Sequence, residues 1–235
     1  MKGVILAGGY GTRLGALTSG TLNKHLVAVG DRPMIFHVIE NLVASGIEDI
    51  LVLLNGSNTG LVLEMLEDGS RFGCHISYRY TKRANGPGRT LLLARQWVGS
   101  ESFLTILGDS LFFQPLPWKK KQAPHMFVVP MTPEFDELAK YGQVTVKNGK
   151  VSSIIWKPHE PISYLVQATA FILHPEAFER LDILDKTVTG EVSITMLTTE
   201  YVKEGVMNYT LLSENSFIDC GTIQALQTAT RKLFP

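Results

Sequence analysis

Cysteine is scarce in this chain: Cys74 and Cys220 are the only two among 235 residues, far apart and without a CxxC pair or clustered histidines. That excludes a disulfide framework and gives no zinc signature. No apolar run reaches the roughly 18 residues of a membrane span, and Met1-Lys2 leads straight into an apolar stretch rather than a secretory leader, so a cytoplasmic setting is expected. Charge of one sign is also missing. Twenty-two basic and twenty-two acidic residues cancel, leaving no field to attract nucleic acid or a membrane surface, so any phosphate binding must be local. Internal repeats and low-complexity segments are absent, and Lys119-Lys120-Lys121 reads as a solvated loop. With 45% hydrophobic and 19% charged residues, the chain has the composition of one globular α/β unit.

What is present concentrates at the start. Val4-Ile5-Leu6-Ala7 reads as a buried strand, and it runs into Gly8, Gly9 and Gly11 followed by Thr12 and Arg13. Bare backbone lets successive N–H groups turn toward a polyanion, and a guanidinium adds a charged planar fork. Two familiar phosphate loops do not fit. The dinucleotide fingerprint needs a further glycine where Leu14 stands, and no Gly-Lys-Ser/Thr of a Walker loop occurs. An oxidoreductase on a similar sheet would also need an acidic residue closing the second strand, and Leu53-Leu54-Asn55 offers none.

Periodicity predicts strands at 3–7, 50–54, 75–80 and 103–107 alternating with helices at 33–45, 59–66 and 89–97. That alternation implies a Rossmann-like, doubly wound, mostly parallel sheet with right-handed crossovers, which binds ligands beyond the carboxyl ends of its strands. After Pro115 the pattern changes to strands at 125–130, 143–146, 151–156 and 164–173, joined by an Asn148-Gly149 turn. These predict a smaller, partly antiparallel sheet on the substrate side, before helices return at 176–180, 192–203 and 223–232. The chain thus reads as a single domain, 1–235, with a nucleotide-binding half (1–114) and an acceptor-binding half (115–235).

Gly8-Gly9-x-Gly11-Thr12-Arg13 after an N-terminal strand resembles the signature of the sugar-1-phosphate nucleotidyltransferases. The resemblance continues through Asn23-Lys24-His25-Leu26, Arg32-Pro33-Met34-Ile35, Leu107-Gly108-Asp109, Lys157-Pro158, Gly190-Glu191 and Asp219-Cys220-Gly221-Thr222, and so covers nearly the whole chain. It implies transfer of a nucleotidyl group from a nucleoside triphosphate to a sugar 1-phosphate or analogue, with pyrophosphate leaving. Both reactants are anions, so a divalent cation with carboxylate ligands and a few cationic side chains suffice, without a protein nucleophile. By resemblance Arg13, Lys24, Asp109 and Lys157 are catalytic. Asp109 and Asp219 hold Mg²⁺, while Leu6, Ala7, Gly8, Gly9, Gly11, Thr12, Arg13, Lys24, Thr81, Gly86 and Asp109 bind the nucleotide. Tyr141, Gly142, Trp156, Lys157, Gln167 and Glu191 fall to the acceptor. Family habit adds a homo-oligomer, a dimer or tetramer.

Departures from the family pattern cluster on recognition rather than on phosphate chemistry. Thr81 stands for a glutamine before the base loop, Trp156 for a glutamate before Lys-Pro, Gln167-Ala168 for Thr-Gly, Met196 for an aspartate and Phe217 for a tryptophan. They imply an acceptor other than ordinary glucose 1-phosphate: a modified, deoxy or longer sugar phosphate, a cyclitol phosphate, or a phosphonate, as in a specialised biosynthetic pathway; the alternative is that other loops compensate and the acceptor is a common hexose 1-phosphate. The base, whether thymine, uracil, cytosine or guanine, stays open. A second class, a non-catalytic nucleotide-binding regulatory relative, would have no physical reason to keep Arg13, Lys24, Asp109, Lys157 and Asp219 together.

Overall fold

The fold is taken from a computed structural model that describes residues 1–9, 11–18, 22–56, 58–82, 86–131, 138, 141–156 and 158–234. Its strands are β1 (Lys2–Ala7), the short pair β2 (Ala28–Val29) and β3 (Arg32–Pro33), β4 (Asp49–Leu54), β5 (His75–Tyr80), β6 (Phe103–Leu107), β7 (Ser110–Phe112), β8 (His125–Pro130), β9 (Gly142–Lys147), β10 (Lys150–Trp156), β11 (Leu165–Leu173), β12 (Asn208–Leu211) and β13 (Phe217–Asp219). Among the described residues nine of these form one sheet along β10-β9-β11-β6-β1-β4-β5, with β8 paired to β11 and β12. Strands β5, β4, β1 and β6 run parallel, as the alternation predicts. The antiparallel part continues that sheet instead of standing apart from it, because β11 pairs β6 from Ala170↔Ile106 to Leu173↔Phe103.

Buried strands carry apolar residues on both faces, and β1 shows why the sheet is wound on both sides. Ile5 and Ala7 enter one core with Met34, Ile35, Val38, Ile39 and Leu42 of the helix Met34–Ala44. Val4 and Leu6 enter the other with Phe178 and Leu181 of the helix Ala177–Thr187 and Leu197 and Tyr201 of the helix Ile194–Lys203. Each such side chain, fully removed from water, contributes about 1.5–3 kcal/mol. Where one helix is expected over 89–97, the chain forms Pro87–Leu91, a 3-10 turn at Leu92–Ala94 and Arg95–Val98. The tighter winding stacks Leu91 and Ala94, three apart and both buried, over the sheet. No helix among the described residues is long and apolar enough to cross a membrane.

Candidate active site

The sheet order reverses between β1 and β6, because the chain winds outward from β1 through β4 to β5 and then returns to lay β6 on the other side of β1, and that reversal opens a crevice at the strand ends. Gly8 and Gly9 leave β1 there and Gly108-Asp109 leave β6, joined by the Gly108 N–H donating to the Leu6 carbonyl at 3.0 Å. Gly9 adopts φ 105°, a left-handed conformation that side-chain-bearing residues resist. Arg13 follows in the short turn Thr12–Leu17, and its guanidinium lies against Gly221. Asp219 arrives from the far end of the sequence because β13 pairs β7, with Asp219 opposite Ser110 and the Cys220 N–H donating to the Asp109 carbonyl at 2.8 Å. Thr222 then caps the helix Ile223–Leu233 by accepting from the Ala225 N–H at 3.2 Å, so the Asp-x-Gly-Thr run is a strand end, a turn and a cap in succession.

The floor of this crevice is charged and nearly dry. The Lys24 Nζ donates to Asp109 Oδ2 at 2.5 Å, with side-chain exposures of 17% and 7%. Burial alone raises the pKa of Asp109, but the Lys24 ammonium reverses this and holds the carboxyl ionised below its ordinary range. Asp219 is pushed the other way, upward, by burial and by the charge of Asp109, against the opposing pull of the Gly221 N–H, Arg13 and Lys24. The two carboxylates line one cavity, and their oxygens suit a hard divalent cation. His25 beneath them is pushed down to about 3, first by burial and then by Lys24, so its ring is neutral. Its Nδ1 bonds to Asn23 Oδ1 at 2.8 Å, and its Nε2 has no partner among the described residues.

The rim is built differently. Trp156 ends β10 half exposed, and its indole covers Gly142 so closely that a Cβ there would lie 3.1 Å from Cε3. Gln167 is buried on β11, with Oε1 unpartnered among the described residues. Glu191 stands just before Ser193, which caps the helix Ile194–Lys203 by accepting from the Met196 N–H at 3.2 Å. Floor and rim together enclose a cavity of about 400 Å³.

A sequence model of the nucleotidyl transferase family matches residues 2–234. The chain belongs to that family. It is 31% identical, over 97% of its length and 81% of the relative's, to the glucose-1-phosphate thymidylyltransferase of Neisseria meningitidis, and 29% identical over 98% and 81% to that of Mycolicibacterium smegmatis. A Bacillus anthracis structure assigned to the same enzyme, in complex with a sucrose, superposes with a TM-score of 0.86 at 32% identity, covering 99% of this chain and 94% of that one. A UDP-glucose pyrophosphorylase complexed with UDP-glucose matches with a TM-score of 0.81 at 22% identity, a likeness of fold alone.

Within this nucleotidyl transferase, Leu6, Gly8, Gly9, Arg13, Lys24, Gly86, Asp109, Trp156, Gln167, Glu191 and Asp219 all line the one cavity. Ala7 is buried in the core, and Gly11, Thr12 and Thr81 do not line the cavity. Tyr141 is buried with its ring 5.9 Å from that of Phe217, and Gly142 lies under the indole. Lys157 falls outside the described residues. Of the departures from the family pattern, only Trp156 and Gln167 reach the cavity; Ala168 and Phe217 are core residues. Asn55, Thr90 and Thr169 also line it. For Asn55 the signal is a polar residue directly after the apolar run Ile50 to Leu54, the same pattern that delivers Asp109 after β6.

Proposed function

We propose that this chain transfers a nucleotidyl group from a nucleoside triphosphate to a sugar 1-phosphate or close analogue, with Mg²⁺ at Asp109 and Asp219. The observation that carries the reading is the convergence of the glycine loop, Arg13, Lys24 and two buried carboxylates in one cavity at the strand ends. Mg²⁺, when bound, supplies charge neutralisation and orientation for the phosphates. Lys24 and Arg13 face the triphosphate and stabilise the negative charge gathering on the leaving pyrophosphate. An oxygen of the acceptor phosphate attacks the α-phosphorus, a new P–O bond forms, and the bond to the β-phosphate bridge breaks. Lys157, directly after Trp156 at the rim, is assigned to the acceptor phosphate. Residues 1–114 serve the nucleotide and 115–235 the acceptor, in the cytoplasm, where the two buried unpaired thiols stay reduced.

The acceptor ring meets an indole at Trp156, which offers an apolar face in place of a carboxylate that would bind hydroxyls. This favours a modified, deoxy or extended sugar phosphate, a cyclitol phosphate or a phosphonate over glucose 1-phosphate. Pyrophosphate release is measured with Mg²⁺ across dTTP, UTP, CTP, GTP and ATP against such acceptors, with Asp109→Asn as the blank. One productive combination, lost in the variant, is expected. Nucleotide binding without release in any combination favours a regulatory relative, and a clear preference for glucose 1-phosphate overturns the acceptor assignment.

A further inference from the structure

Asn55 sits where β4 ends, 4% exposed, and both ends of its carboxamide are engaged. Its Oδ1 accepts from the Gly9 N–H at 2.6 Å, and its Nδ2 donates to Thr90 Oγ1 at 3.2 Å. Thr90 in turn donates to the Gly86 carbonyl at 3.0 Å. The packing is close: a Cβ on Gly8 would lie 2.4 Å from Asn55 Oδ1. Beyond Gly86 the same connection reaches the opposite wall, because the Gly88 N–H donates to the Val192 carbonyl at 2.8 Å and a Cβ on Gly86 would meet Glu191 Cγ at 2.4 Å. The five-residue helix Pro87–Leu91 thus turns Thr90 toward the glycine loop and Gly88 toward the segment bearing Glu191.

We propose that Asn55 is a positioning residue: acting through Thr90, it locks the glycine loop and the Gly86 turn into one register, so that the loop is ordered before the triphosphate arrives. The proposal rests on the nucleotide reading of the cavity. A carboxamide suits the task because it accepts at one end and donates at the other. Each end is committed to a partner, and the effect assigned to Asn55 passes through the loop it holds. Fixing the loop in advance removes an ordering cost from nucleotide binding.

The test measures the dissociation constant of the nucleoside triphosphate by calorimetry without acceptor, beside thermal midpoint, kcat and the KM of each substrate. Asn55→Ala is expected to weaken nucleotide binding about tenfold. Thr90→Val, which keeps the shape and removes the hydroxyl, is expected to weaken it several-fold, and Thr90→Ser to restore it within about twofold. The double variant Asn55→Ala/Thr90→Val is expected to be no worse than Asn55→Ala alone, because one connection can be cut only once. Nucleotide affinity within twofold of the parent in Asn55→Ala, or equal affinities in the two Thr90 variants, overturns the proposal; the Thr90 pair decides it if Asn55→Ala does not fold. Failure of the parent protein to bind any nucleoside triphosphate overturns the nucleotide reading itself, a result distinct from parent and variants binding alike.

Discussion

The floor and the rim line one cavity and are built by opposite rules. On the floor, Lys24 and Asp109 form an almost dry ion pair beside a second carboxylate, and removing either member of the pair leaves the other buried without compensation. At the rim, Trp156 is half exposed and Gln167 keeps an unpartnered oxygen. Change on the floor disturbs buried charge, whereas change at Trp156 alters a half-exposed, uncharged side chain. The expected departures that reach the cavity, Trp156 and Gln167, belong to the rim, and Arg13, Lys24, Asp109 and Asp219 line the same cavity.

The sharpest way to break this comparison is Asp109→Asn, which strands the Lys24 ammonium and is expected to reduce turnover by about 10³-fold, read as pyrophosphate release. Asp219→Asn is expected to raise the Mg²⁺ concentration giving half-maximal rate by about tenfold or more, measured by metal titration after chelation. Gly108→Ala probes the packing under the floor. Its Cβ would lie 2.7 Å from the His25 ring, and a loss of about 1–3 kcal/mol in denaturant unfolding is expected. At the rim, Trp156→Ala should raise the acceptor KM by about tenfold and leave the nucleotide KM unchanged; equal change in both would erase the distinction between floor and rim.

A further effect lies away from the site. Burial, followed by Lys121 and Lys150, pushes His125 down from 6.5 to about 4. The unfolded chain therefore binds a proton that the folded one refuses between those values. Stability is expected to fall as pH drops from about 6.5 toward 4, and a His125→Gln variant should show a shallower fall in its thermal midpoint.

The sequence made the parallel core legible because strands buried on both faces are short continuous apolar runs, as at β1, β4 and β6. It hid β7, β12 and β13, which are three or four residues long and stabilised by partners far away, as Asp219 is by its place opposite Ser110. The phosphate residues stood out because glycine next to a cation has few other uses. Asn55 registered only as the lack of an acid, since its value depends on contacts to Gly9 and Thr90 that no local pattern encodes. The broken helix after Pro87 was equally hidden, because 3-10 and α winding bury nearly the same residues there.

The pairing of β13 with β7 also sets a timetable. β1 must wait for Leu104 to emerge before Gly3 finds that partner, and Asp219 follows Asp109 from the ribosome by roughly 5–20 s at ordinary synthesis rates. Through that interval a nascent chain carries the Lys24–Asp109 pair without the second carboxylate. Of the charged residues that line the cavity, Asp219 is thus the last to be made.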